Sequence, residues 1–468
     1  MSDTPLYFKT ITEVARLIRS KEVSPVEITS LVLQRIDDLD GRYKAYATVM
    51  AEHAMEAAGR AEREITEGRY RGPLHGVPIA VKDLYFTRGV RTMGGSKTLA
   101  DHVPEHDSTV VKRLDAAGAV LLGKLNLTEG AMGGYNPDFD IPLNPWNPER
   151  WAGSSSSGSG VATALGLCFG SLGSDTGGSI RFPAASCGVV GLKPTWGRVS
   201  RYGVLALAES LDHVGPLTRS SADAGVMLQA MAGFDPNDPT SLHDPVPDML
   251  AGIEQGVRGV RIGLDKKYVT EGVDAELAQA VLAGVKALDE LGAEIVEVRM
   301  PDVDSYLPAW PVLCSAEAVA AHRDNYPERR DDYGPWFQGW LDMGAKVTGA
   351  EYAEANNRRA ECNGLVREAL RDVDVLACPS TMTPPYPVTP EALYGPMAPR
   401  DPAFQRYTAP YNFNGMPTLS VPCGLNSEGL PLSLQIVGKH LSEALLCQIG
   451  HAYEIATEWH LMHPPSEG

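Results

Sequence analysis

GVPIAVKDL at residues 76–84, DSTVVKRLDAAG at 107–118 and AVLLGK at 119–124 decide the fold. The first and last are short apolar runs bounded by glycine and proline, as strands are, and the middle one carries the apolar period of a helix. Strand, helix, strand in that order makes the chain α/β. The pattern returns downstream, where VRIGL at 260–264 precedes the helical DAELAQAVLAGVKALDELG at 274–292 and the strand-like AEIVEVRM at 293–300. VDVLACPS, TLSVPCG and LSLQIVG follow. The last two are joined by the glycine-containing turn LNSEGLP at 425–431, so part of the sheet is antiparallel. A large mixed β-sheet covered by helices on both faces is the simplest architecture.

Upstream the start signals are helical. Thr10 and Glu13 form a capping box before Val14, Leu17 and Ile18, and Ser24, Pro25 and Glu27 sit as N-cap, N1 and N3 ahead of Ile28, Leu31, Val32 and Ile36. These predict an antiparallel helical pair at the start of the fold. No long linker or low-complexity tract divides the chain, and the Pro-rich stretch at 381–402 reads as an ordered surface loop or a substrate-side lid. One domain over residues 1–468 is expected.

The 468 residues hold 41 Lys+Arg against 59 Asp+Glu, a formal charge of 41 − 59 = −18, and 43% are hydrophobic. That supplies a large core and argues against a polyanionic partner such as nucleic acid. The N-terminus has no basic segment followed by an apolar one, and no run approaches the ~18 apolar residues of a membrane span. A cytoplasmic protein with no membrane association is expected. Seven scattered cysteines without a C-x-x-C pair fit reduced core residues.

The least ordinary composition is GSSSSGSGVATALGLCFGSLGSDTGGSIR at 153–181. A flexible linker would not bury VATALGLCFG and has no use for DTGGSIR. Small residues let a backbone approach a ligand and turn N–H groups inward, as an anion site or oxyanion hole requires. Two phosphate readings fail. GAVLLGK at 118–124 is followed by Leu125 where a P-loop places Ser or Thr, and GSGVAT at 158–163 lacks the third glycine of a dinucleotide fingerprint.

A serine nucleophile requires a proton acceptor. There is no G-x-S-x-G, no S-x-x-K and no H-E-x-x-H, and the eleven histidines lie mostly in polar or terminal settings that fit surface or structural roles. Lys82 remains, at the end of the apolar strand HGVPIAVKDL. Either its ammonium snorkels to water, or, buried beside hydroxyls, it loses its preference for charge and serves as a base. Spacing alone does not choose.

Taken together, GVPIAVKDL, GAVLLGKLN, the Gly/Ser tract, GSDTGGSIRFPAASCGVVGLKPTWGRVS, SLDHVGPLTRS, TAPYNFNGMPTLSVPCG and SLQIVG resemble the amidase signature family, serine hydrolases with a Ser-Ser-Lys triad. The likeness spans most of the chain. It implies the amidase signature fold, with a signature core at about 72–220 and a variable substrate-side region at about 300–405. It also implies Ser179 as nucleophile, Ser155 after a non-proline cis peptide as the bridging serine, and Lys82 as the base. The tract departs from the common GGSSGG by reading GSSSSG, which leaves Ser154 and Ser156 as alternatives to Ser155. Backbone N–H groups among Thr176, Gly177, Gly178 and Ser179 are implied as oxyanion hole. Asp175 and Arg181 are implied as loop-ordering residues, and Ala131, Met132 and Gly133 in GAMGGYNPDFD as a substrate wall. No metal and no cofactor are implied.

Relatives cleave linear amides, cyclic amides, carbamates and esters, or supply ammonia from glutamine within tRNA-dependent amidotransferases. In the amidotransferase subunits an acidic residue precedes the T-x-P-x-N segment, whereas PAFQRYTAPYN here has Gln405 and Arg406. That favours an amidase for small amides. The aromatics Tyr306, Trp310, Tyr326, Tyr333, Trp336, Phe337 and Trp340 belong either to the core or to a pocket for hydrophobic or aryl groups. A non-catalytic binding protein would require loss of the triad, and all three residues are present. A homodimer is the default expectation.

Overall fold

The computed structural model describes residues 4–465; residues 1–3 and 466–468, the two ends of the span read as one domain, lie outside them. Eleven strands form one sheet: β1 Tyr46–Val49, β2 Pro78–Lys82, β3 Val120–Leu125, β4 Gly170–Asp175, β5 Val190–Lys193, β6 His213–Thr218, β7 Arg261–Leu264, β8 Glu294–Glu297, β9 Val375–Pro379, β10 Thr418–Leu425 and β11 Pro431–Gly438. Their order is β1-β3-β2-β4-β6-β5-β10-β11-β9-β7-β8. Pairing is parallel along β3-β2-β4 and β9-β7-β8 and antiparallel elsewhere. The sheet is therefore mixed, and fifteen α-helices accompany it among the described residues. None of them is long and apolar enough to cross a membrane.

The local reasons match the elements. β2 is buried at every position, as a parallel strand flanked by two others must be. The β10–β11 hairpin closes at Asn426–Leu430. Both N-terminal capping boxes form, at Thr10/Glu13 and Ser24/Glu27. The two helices they start bury Val14 and Ile18, and Ile28, Val32 and Ile36, in one core, and each has a further main partner. The Pro25–Tyr43 helix packs on the Ala51–Thr66 helix, and the Ile11–Ser20 helix lies on the Ser221–Met231 helix, where the Asp223 carboxylate accepts from Ile11 N at 2.8 Å and Thr12 N at 3.1 Å. A buried carboxylate over the exposed amides of a helix start fixes that docking more firmly than sequence adjacency does.

β4 and β6 escape a reading by apolar run because glycines and a proline interrupt them. All seven cysteines are buried and unpaired.

Candidate active site

The centre of the site is the carboxyl end of the parallel pair β2/β4, where open α/β sheets place their ligands. Ala80 pairs with Ser171 and Val81 with Leu172, so Lys82, the last residue of β2, comes level with Gly173, two residues before the end of β4. Its side chain does not snorkel. It is 0% exposed and Nζ lies at hydrogen-bond distance from Ser155 Oγ (2.6 Å), Ser174 Oγ (2.9 Å) and Ser156 Oγ (3.0 Å), three hydroxyls that suit a neutral amine with two donors and one acceptor. Burial disfavours the charged form and brings the amine down to about 7, while Asp212 and then Asp175 pull the other way.

Ser155 and Ser156 precede the Ser157–Ala164 helix, and the Ser154–Ser155 peptide is cis. The turn into this segment passes Gly153 at φ +86°, where a Cβ would stand 2.4 Å from Pro183 Cα; glycine is the residue that fits. Thr128 N donates to Ser155 O at 3.3 Å and Ser156 N to Ser179 O at 3.3 Å, so the serine tract is tied to the 128–134 loop on one side and to the Ser179 loop on the other.

The loop after β4 is held by Asp175. Its carboxylate accepts from Gly178 N at 2.8 Å, Ile180 N at 3.0 Å, and Arg181 Nε and Nη2 at 3.0 and 2.8 Å. Burial alone would raise this acid, but Arg181 outweighs it, helped by Lys193 and Asn412, and holds it well below the usual carboxylate range. Arg181 spends its remaining donors on Asn412 Oδ1, Thr408 O and Gln435 Oε1. Gly178 has φ +132°, and a Cβ there would enter the Phe182 ring at 2.4 Å.

Of the four residues expected to offer N–H groups, Gly178 is corrected, because its N–H is committed to Asp175. Gly177 N and Ser179 N have no protein partner among the described residues. Thr176 turns its hydroxyl to Asp212 Oδ1 at 2.5 Å and receives the Trp310 indole N–H on its carbonyl at 2.9 Å. Unpaired backbone donors in a largely buried loop are rare and ask for an acceptor. Ser179 is partly exposed, and its Oγ has no hydrogen-bond partner among the described residues.

Two aromatic groups flank this loop. Trp310 lies over Gly177 and meets Trp340 at 5.8 Å, and Trp340 leads to Trp336 at 5.8 Å, which covers Gly133 and Gly134. Tyr333, Phe337, Trp310 and Trp340 are buried, so much of the 300–345 stripe is core; Trp336 is half-buried. On the other flank Phe182 meets Phe404 at 4.9 Å and Trp151 at 5.6 Å, and Tyr386 stacks on Trp151 at 5.0 Å. Tyr386 lies inside the Pro-rich stretch and Phe404 just beyond it. Gln405 Nε2 contacts Gly177 O at 3.4 Å, whereas Arg406 turns away to a two-oxygen ion pair with Asp304. A cleft of about 390 Å³ reaches Ser174, Asp212 and Ala131 from the 201–207 and 237–240 loops.

The structure thus brings Lys82, Ser155 and the Ser179 loop together, and Ala131 lines the cleft that reaches Ser174, with Met132 and Gly133 following it in the same loop and Gly133 lying under Trp336. Sequence reading missed Ser174, Asp212, Asn412, Phe404 and Tyr386. Asp212 and Asn412 stood inside quoted motifs, but nothing in their spacing shows that the fold aims them at residues 175 and 176. His213 is buried with Nδ1 bonded to Leu211 O at 2.7 Å, a structural role. Among the described residues no group of three or more His, Cys, Asp or Glu is gathered as metal ligands are.

Comparison with known proteins agrees with this geometry. The family model described as Amidase matches residues 27–447. A Mycobacterium tuberculosis (strain ATCC 25618 / H37Rv) protein named as an amidase, AmiD, is 45% identical over 460 residues, covering 97% of this chain and 95% of that one. A glutamyl-tRNA(Gln) amidotransferase subunit from Moorella thermoacetica is 40% identical over 489 residues, covering 98% and 99%. A bacterial aryl acylamidase of the amidase signature family superposes with a TM-score of 0.87 at 28% identity, covering 98% of each chain. Family model, relatives and architecture converge, and the chain belongs to the amidase signature family of hydrolases acting on carbon–nitrogen bonds.

Proposed function

We propose that the protein cleaves the C–N bond of small hydrophobic or aryl amides through an acyl-enzyme on Ser179. Neutral Lys82 takes a proton from Ser155, Ser155 takes one from Ser179, and Ser179 Oγ attacks the substrate carbonyl. The N–H groups of Gly177 and Ser179, with Thr176 beside them, receive the developing oxyanion; each good donor contributes on the order of 3 kcal/mol. Ser155 returns the proton to the leaving amine, and water cleaves the acyl-enzyme by the same relay. The Ser179 hydroxyl turns towards Ser155 as substrate seats, since catalytic hydrogen bonds commonly close only in the complex.

The observation that carries this reading is Lys82: a fully buried amine brought to about 7, with Ser155 Oγ at 2.6 Å and no carboxylate in contact. The aromatic flanks favour hydrophobic or aryl groups. Carbamates and esters pass through the same acyl chemistry and are the second reading. Glutamine hydrolysis for a partner protein is disfavoured, because the residue over Gly177 is the neutral Gln405. One sheet running from Tyr46 to Gly438 supports a single domain over 1–468, and we read the enzyme as cytoplasmic and independent of any second type of chain.

The test is a panel of p-nitroanilides, aryl carbamates, short aliphatic amides and glutamine on the isolated chain. Anilide turnover without glutaminase activity is expected. Glutaminase activity that requires a co-purifying protein would reverse the ranking.

A further inference from the structure

Glu129 is a buried carboxylate with no cation against it among the described residues. It is 1% exposed, and Oε1 accepts from Ser96 Oγ at 2.8 Å and Asn136 Nδ2 at 3.0 Å, while Oε2 accepts from Gly334 N at 2.7 Å. Burial outweighs the pull of these donors and leaves it raised to about 7. The relay proposed above does not use it, and a carboxylate this deep is costly unless its bonds do something.

The three donors come from three separate segments: the 94–98 loop, Glu129's own loop, and the insert that enters the Pro335–Gly344 helix. That helix has no side-chain cap of its own, because its N-cap is Gly334 and its first residue, Pro335, has no N–H. Glu129 supplies an anion at the positive end of the helix from another part of the chain. Asn136 Nδ2 adds a bond to Asp332 O at 3.0 Å, and Arg329 Nη1 one to Thr98 O at 2.8 Å. The helix so placed lays Phe337 on Gly130 and Trp336 on Gly133 and Gly134, where a Cβ would stand 2.3, 2.3 and 2.5 Å from these side chains. The far side of the same loop is bonded to Ser155 through Thr128 N.

We infer that Glu129 is a positioning residue for substrate recognition: it fixes the Pro335–Gly344 helix against the 129–134 loop and so sets how Trp336 seats on Gly133 and Gly134, at the proposed substrate wall Ala131–Gly133. The inference rests on the reading that this wall receives substrate. Glu129 itself touches neither substrate nor Ser179.

The test measures binding, independent of turnover, on a Ser179→Ala background: calorimetric Kd for benzoyl and acetyl p-nitroanilide. Adding Glu129→Ala is expected to weaken the benzoyl compound about tenfold and the acetyl compound less than threefold. Glu129→Gln keeps an acceptor for Gly334 N and can donate to Ser96 Oγ but sets its amide N–H against that of Asn136, and is expected to recover the benzoyl Kd to the level of Asn136→Ala. Asn136→Ala, which removes one of the three ties, is expected to fall between and serves if Glu129→Ala does not fold. In the active enzyme the same changes should move KM for the benzoyl substrate with kcat within twofold. Equal weakening of both ligands, no weakening, or failure of Gln to rescue would overturn the role. Failure of the hydrolase reading shows separately, as absent turnover in the wild type.

Discussion

Lys82 Nζ meets Ser155 Oγ at 2.6 Å while Asp212 and Asp175 influence it only through space. An amine brought to about 7 is half neutral at that pH. With Lys82 as base, kcat/KM on a non-ionising amide is expected to fall tenfold per pH unit below about 7 and to level off above it, because only the deprotonated amine accepts a proton. Lys82→Ala should lose about 10²–10⁴-fold at pH 7 and recover part of that at high pH. A pH profile unchanged by the substitution would exclude the lysine as base.

Ser179 Oγ makes no hydrogen bond among the described residues, so removing it costs the fold almost nothing. Ser179→Ala is expected to abolish turnover and covalent labelling by a fluorophosphonate, with stability from denaturant titrations moved by less than about 0.5 kcal/mol. Persistent labelling would move the nucleophile elsewhere.

Arg181 is the counter-charge of the Asp175 carboxylate, which holds the loop of the proposed nucleophile Ser179. Arg181→Met leaves Asp175 buried and unpaired and is expected to destabilise the protein by about 3–5 kcal/mol in urea titrations. Combining it with Asp175→Asn should recover part of the loss, as coupled neighbours do. Additive losses would mean that the two side chains act separately.

Phe404 joins Phe182 and Trp151 on the flank of Gly178. Truncating a half-buried ring of this kind forfeits about 1–1.5 kcal/mol of contact, so Phe404→Ala is expected to raise KM for benzoyl anilides roughly 5–10-fold and for acetyl anilides less. An equal rise for both acyl groups would place Phe404 outside the acyl-binding surface.

The parts legible in the sequence were those written in local pattern. β2, β3, β9, β10 and β11 announce themselves as apolar runs, and the capping boxes at Thr10 and Ser24 fix helix starts. The serine tract shows its burial through VATALGLCFG. What escaped depended on distant partners. The docking of the first helix on Asp223 joins residues more than 200 apart, and the commitment of Gly178 N to Asp175 depends on which way a loop closes. Whether Lys82 snorkels or stays buried was undecidable from spacing, because the answer lies in three hydroxyls that only the β2/β4 register collects. The aromatic stripe was likewise ambiguous, since a ring that packs and a ring that lines a pocket look the same in one dimension.

Lys82, Ser155 and the Ser179 loop all issue from the chain between β2 and the turn after β4, whereas Trp310, Trp336 and Phe404 arrive after residue 300. The proposed relay is thus written before residue 182, whereas the proposed recognition surface is shared between that stretch, through Ala131–Gly133, Trp151 and Phe182, and the insert after residue 300. Laboratory evolution restricted to codons 300–405 is expected to redraw which molecules are accepted while Lys82, Ser155 and Ser179 stay in place, provided Trp310 keeps its bond to Thr176 O and Gly334 its bond to Glu129.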